Sequence, residues 1–192
     1  MTTKRRVTAQ LVLETAIALA DKEGFEAVTL ASIAQELGIR NPSLYNHISS
    51  LADLQSQMRL WAVRQVADMM RRVAVGKSSA EAIISVGHAM RDFAQQHPGL
   101  YATVQKATDT SHPDLAVAQG ELLAIFLVIL SSYNLAQEDQ LHAVRALRSI
   151  LHGFIDLEVM GGFGLDLDRD ESFRRLINVF IAGLPLYRSA SE

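Results

Sequence analysis

Hydrophobic positions recur three and four residues apart along nearly the whole chain, the spacing of helices that each turn one side inward. In 8–23, Ala9, Val12, Leu13, Ala16, Leu19 and Ala20 keep that period until Gly24 ends it, and Phe25 and Val28 pack the following link. In 29–37, Ile33, Ala34 and Leu37 form a stripe behind Thr29, a good N-cap, and Gly38 stops the helix where a left-handed backbone is usual. Ile39 fills the gap before a third helix, 41–48, with Asn41 as N-cap and Pro42 in the first helical place. Leu44 and Ile48 stand at i and i+4 and face inward, which turns Ser43, Tyr45, Asn46 and His47 largely outward.

Ser49 and Ser50 break the pattern and cap a long fourth helix, roughly 51–75. Its inner face is Leu54, Met58, Trp61, Val66, Met69 and Val73, with Arg59, Arg64, Arg71 and Arg72 outside. Gly76-Lys77-Ser78 is a hinge, and Ser78 with Glu81 reads as a capping box opening a fifth helix that ends near Gln96. After His97-Pro98-Gly99 comes a short helix with Leu100, Tyr101 and Val104, then a loop from Thr108 to Pro113. Three further helices, about 114–133, 138–160 and 170–187, complete the chain; Gly161, Gly162 and Gly164 make the last loop, and Asp170 and Glu171 favour the final helix start. No alternating run reads as a strand. The expected fold is all-α, about nine helices, divided into residues 1–50 and 51–192.

Composition narrows the chemistry. There is no cysteine, so disulfide and thiolate chemistry are excluded. Hydrophobic residues are 49% and aromatics 6%, as Ala/Leu/Val-rich helix packing requires. The longest unbroken apolar stretch, Leu122–Leu130, is too short to span a bilayer, and no signal segment follows Lys4, so a soluble cytoplasmic protein with no membrane partner is expected. There is no HExxH, glycine-rich phosphate loop or nucleophile elbow, and His152 with Asp156 lacks a third metal ligand at recognisable spacing. Neither catalysis nor a metal or cofactor is expected.

A helix held by two buried residues, with a polar and aromatic outer side, matches the helix-turn-helix, whose second helix enters the major groove. The net charge is −3, and in the first fifty residues Lys4, Arg5, Arg6, Lys22 and Arg40 are balanced by Glu14, Asp21, Glu23, Glu26 and Glu36. Placement matters more than sum: three bases cluster at the tip and Arg40 stands before the third helix. Such a chain would bind nucleic acid non-specifically only weakly, with a shallow salt dependence. Arg40, Asn41, Ser43 and Asn46 suit base edges, whereas Tyr45, His47, Thr29 and Ser50 suit phosphates. Lys4, Arg5 and Arg6 suit a minor-groove arm. The rival reading is a helical small-molecule-binding or protein-interaction module that binds no DNA.

The combination Ile33-Ala34, Leu37-Gly38-Ile39 and Ser43-Leu44-Tyr45-Asn46-His47-Ile48, preceded by Gly24-Phe25, resembles the N-terminal domain of TetR-type transcriptional regulators. HPGLY (97–101) and ALRSILHGFIDLEVMGGFG (146–164) resemble the C-terminal domain of a subgroup named for a Trp-His-Gly pattern. Two positions depart from the relatives. Leu51 stands where many carry a phosphate-binding lysine, leaving that contact to Ser49, Ser50 or the helix N-terminus. Arg148 lies near the subgroup's tryptophan, so only His152-Gly153 matches.

The resemblance implies a homodimeric, ligand-responsive repressor on a palindromic double-stranded operator, released by a small hydrophobic effector; an activator of the same family is the alternative. It places the dimer surface on the last two helices, with Leu147, Ile150, Leu151, Phe154, Ile155, Phe173, Leu176, Ile177, Phe180, Ile181 and Leu184 as candidates. It places an effector pocket between the fourth and eighth helices, with Trp61, Met90, Phe93, Tyr101, Phe126, His152 and Asp156 as candidate liners.

Overall fold

A computed structural model describes residues 6–105 and 112–188. Among the described residues are nine α-helices, three 3₁₀ turns and no strand, the class expected from periodicity. The chain parts into two compact units, neither continuous in sequence. One holds the described residues up to Arg64 together with those from Gln96 to Ala116; the other holds Gln65–Gln95 and the residues from Val117 on.

The first unit is built on α1 (Ala9–Glu23), which Thr8 caps by accepting the Leu11 N–H at 3.2 Å. Val12, Ala16, Leu19 and Ala20 of α1 are buried, as is Ile17. Helix α1 packs on α2 (Leu30–Leu37), which packs in turn on α3 (Asn41–Leu44), and at the start of α4 (Leu51–Ala74) Leu54 and Met58 are fully buried. The unit then recruits a downstream helix, α6 (Pro98–Val104). Gly99 explains how: a Cβ there would collide with the Ala20 carbonyl, so only glycine lets α6 lie on the α1 backbone. His97 Nδ1 donates to Asp21 Oδ2 at 2.6 Å, and Trp61 meets the His97 ring edge-on at 5.1 Å. The periodicity places a division at residue 50, but it cannot show this return of the chain.

The second unit holds α5 (Ser79–Gln96) apart from its last residue, α8 (Gln137–Val159), α9 (Arg169–Gly183) and most of α7 (Pro113–Leu130). The expected capping box opens α5: the Ser78 N–H and hydroxyl both donate to Glu81, which holds that carboxyl below the usual range. At Gly87 a Cβ would lie 2.7 Å from Ile177 Cδ1, so α5 and α9 approach closely there. The buried Arg91 guanidinium donates to Glu158 at 2.6 Å and to Asp170 at 2.7 Å, and it packs against the rings of Phe154 and Phe173. One cation thus ties α5 to the end of α8 and the start of α9. Arg91 holds Glu158 below the usual carboxylate range, and the pair raises Arg91 above its already high value.

Helix α7 with the turn after it, Pro113–Tyr133, is more apolar than its unbroken run suggests: by length and composition it is apolar enough to cross a membrane, with a mean hydropathy of 2.0 over an 18-residue window of which 39% is buried, a test that a core helix also meets. The unbroken run is short, but Ala, Leu, Val and Ile on both sides of Gln119 and Glu121 keep the average high.

Candidate nucleic-acid interface and effector faces

The outward turn is built from both ends. Thr29 Oγ1 accepts the Ser32 N–H at 3.1 Å and Ser32 Oγ accepts the Thr29 N–H at 2.9 Å, a reciprocal cap that starts α2. Gly38 ends it in the left-handed region (φ 64°, ψ 33°), and the Ile39 N–H closes back to Ala34 O at 3.0 Å. Ile33, Ala34, Leu44 and Ile48 are buried, so the angle between α2 and α3 is set by apolar contact.

The third helix is shorter than its spacing suggests, and its start is shifted by one. Arg40 holds the N-cap place without a side-chain cap bond; Asn41 and Pro42 are the first and second helical residues. Tyr45–His47 continue as a turn, with the His47 and Ile48 N–H groups donating to Leu44 O at 2.8 and 3.1 Å. The reason is the next cap: Ser50 Oγ accepts the Asp53 N–H at 3.0 Å and begins α4 at once. Asn41, freed from capping, is exposed, together with Arg40, Asn46 and Ser50. Tyr45 is 57% exposed, while Ser43 and His47 are half-buried. Thr29 and Arg6 are exposed; Lys4 and Arg5 lie outside the described residues.

Of the candidate effector liners, Trp61 and Tyr101 belong to the first unit and the other five to the second. Met90, Phe93, Tyr101 and Phe126 are buried; Trp61, His152 and Asp156 are half-buried. Burial, with the Arg148 charge nearby, pushes His152 down to about 4, so it is neutral at pH 7. None of the seven lines the cleft of about 490 Å³ that α4 and α7 form in the second unit. That cleft is walled by Ala74, Val75, Ala124, Ile125, Val128 and Ile129, and Arg71 pairs with Glu121 across it at 2.8 Å. Helical spacing could not single these residues out, since Val75 and Val128 look like any core valine in sequence.

The last two helices are the larger surprise. Leu147, Leu151, Ile155, Phe173, Ile177, Phe180 and Leu184 are buried within the chain itself; Ile150, Phe154, Leu176 and Ile181 are half-buried. Apolar groups left in water are Leu141, Leu157 and Val159 on α8 with Met160 at its end, Val179 on α9, and Leu186 just beyond it. Gly153 faces open space on α8, with nothing within 4 Å of a Cβ built there.

Comparison with known proteins agrees with this geometry. Residues 12–55 match the family model for bacterial regulatory proteins of the tetR family, and 83–180 match the tetracyclin repressor-like C-terminal domain. The uncharacterized HTH-type transcriptional regulator Rv0681 of Mycobacterium tuberculosis is 32% identical over 180 residues, covering 93% of this chain and 82% of that protein. The uncharacterized HTH-type regulator YobS of Bacillus subtilis is 30% identical over 178 residues, covering 93% of each. In fold, the chain superposes on Streptomyces coelicolor ActR, solved in complex with actinorhodin, with TM-score 0.70 at 19% identity over 98% of this chain and 100% of that one. An exposed polar turn on a two-residue apolar seam, a matching C-terminal domain and two relatives along nearly its whole length lead to one conclusion: the chain belongs to the TetR family of bacterial transcriptional regulators.

Proposed function

We propose that this regulator is a repressor that binds a palindromic operator as a homodimer and leaves it when a small hydrophobic effector binds. The observation that carries this reading is the outward set Arg40, Asn41, Tyr45 and Asn46, held away from the interior by buried Leu44 and Ile48. In this reading Arg40, Asn41, Ser43 and Asn46 address base edges, and Tyr45, His47, Thr29 and Ser50 address phosphates. Arg6, with Lys4 and Arg5, serves as a minor-groove arm. One such turn reads few base pairs, so useful specificity needs two copies spaced by about one helical turn of DNA, roughly 34–36 Å.

The dimer face in this reading is the outward side of α8 and α9: Ile150, Gly153 and Leu157 on one, Leu176 and Val179 on the other. Its buried neighbours shape that face from beneath rather than meeting the second copy. The α4–α7 cleft supports an effector of apolar character, because its single charged pair is already mutually neutralised. An occupant of that cleft lies against the C-terminal half of α4, the helix that follows the reading turn in the chain, and in this reading it biases the regulator between two states. A selection of genomic fragments by the purified protein, followed by sequencing, tests the reading. An inverted repeat with half-sites one turn apart is the expected result; failure to retain any fragment overturns it in favour of a module that binds no DNA.

A further inference from the structure

We propose that the turn joining α8 to α9 forms a second ligand site, which takes a small organic anion with an aromatic or short aliphatic body. The site goes beyond the effector reading and shares no residue with the α4–α7 cleft. It is a cavity of about 320 Å³ in the second unit, at the small end of the range that ligand clefts occupy. Its walls are Phe154, Phe163, Leu165 and Leu167, and its polar groups are Arg169 and Ser172.

The cavity is held open by its own frame. Gly161 (φ 71°) ends α8, the Gly162 N–H returns to Leu157 O at 2.6 Å, and the Leu167 N–H bonds Leu165 O at 2.9 Å. Asp168 Oδ1 then accepts the Asp170 and Glu171 N–H groups and starts α9. Phe163 stacks on Phe154 at 4.8 Å, and Phe154 in turn on Phe173 at 4.9 Å, so the aromatic wall is anchored to the core. A preformed cavity spares a ligand the cost of ordering it. On such a framed turn Leu165 and Leu167 remain 78% and 68% exposed, apolar surface that an occupant would cover.

Charge decides the ligand class. The acids around the site are committed elsewhere: Glu158 and Asp170 to Arg91, Asp168 to the start of α9, Glu171 to Arg174 and Arg175. Asp166 lies on the same turn but not in the cavity wall. Arg169 stands at the rim without a direct ion-pair contact among the described residues, although its charge reaches Glu158 and helps Arg91 hold that carboxyl down. A guanidinium beside an aromatic and leucine wall is matched by a carboxylate joined to an apolar body.

The test is titration of the full-length chain, followed by saturation-transfer NMR, with 4-phenylbutyrate and its uncharged counterpart 4-phenylbutan-1-ol. The acid is expected to bind about tenfold more tightly than the alcohol. Arg169→Ala removes that preference, Arg169→Lys keeps part of it, and Phe163→Ser weakens both probes. Val128→Glu, which obstructs the α4–α7 cleft, leaves acid binding unchanged, so failure here and failure of the effector reading are distinguishable. Equal binding of acid and alcohol, no saturable binding at millimolar concentration, or loss of binding in Val128→Glu overturns the site. So does an Arg169→Ala variant whose monomer–dimer midpoint moves while its acid binding does not, since that patch would then belong to a second copy.

Discussion

Residues 41–48 carry few apolar side chains, and the structure leaves most of the rest in water; α8 and α9 carry broad apolar faces, and the structure buries the centre of each and leaves its flanks half-buried or exposed. With Leu44 and Ile48 at i and i+4, only one orientation of the turn buries both, so the outer face follows from spacing. On α8, Leu147, Ile150, Leu151, Phe154, Ile155 and Leu157 wrap around more of the circumference than a single stripe occupies. Period alone then cannot say which of them meets the chain's own core and which is left for another copy. A sparse pattern identifies its exposed face, whereas a rich one only announces that much must be covered.

The contrast can be broken first at Arg91. Arg91→Ala leaves Glu158 buried without its cation, which should cost about 3–5 kcal/mol and unpin α8 from α9. Denaturant unfolding reads this directly, and a loss below about 1 kcal/mol would mean that packing alone sets the two helices. Next, Val179→Glu should shift the dimer dissociation midpoint by about a hundredfold in light scattering with little change in folding, since Val179 faces solvent in one copy. Leu151→Ala is its complement: a cavity cost of about 2–5 kcal/mol appears in unfolding, because that side chain is interior. If the two variants exchange phenotypes, the assignment of inner and outer sides on α8 and α9 is wrong.

At the reading turn, Tyr45→Ala should weaken operator binding by more than about tenfold, or about 1.4 kcal/mol, with an unchanged unfolding midpoint. Unchanged affinity in a gel-shift assay counts against the docking. Gly153→Ala sharpens the comparison further. In a free helix it should stabilise by roughly 0.8–1 kcal/mol. If Gly153 admits the partner's backbone, the same change strengthens the fold while weakening the dimer; gains in both would exclude Gly153 from the contact.

One effect shows only in acid. His152 is neutral in the folded chain down to about 4, whereas an unfolded histidine takes up a proton near 6.5. Between those values the unfolded state binds more protons, so stability falls as pH drops from 6.5 toward 4. His152→Gln should flatten that part of the profile; an undiminished slope would assign it to other groups.

Helix positions, most caps and the orientation of the reading turn were legible because they depend on residues three to five apart. Thr29, Gly38, Ser50 and the Ser78–Glu81 box act within one turn of their own element. The length of the third helix was misread where two local preferences compete: Tyr45–His47 keep a helical spacing, yet Ser50 caps the next helix too soon for the third to propagate. The α4–α7 cleft was not legible, since an exposed valine carries no mark in sequence.

By itself the sequence determined an all-α chain, its element order, its outward turn and its kinship, all of which rest on local spacing and short motifs. Only the tertiary structure decided that α6 returns to α1 through Gly99, that Arg91 gathers acids 67 and 79 residues away, and that Leu147, Leu151, Ile155, Phe173 and Ile177 of α8 and α9 are interior. Those outcomes depend on which surfaces meet across long separations, and periodicity within a helix contains no record of that.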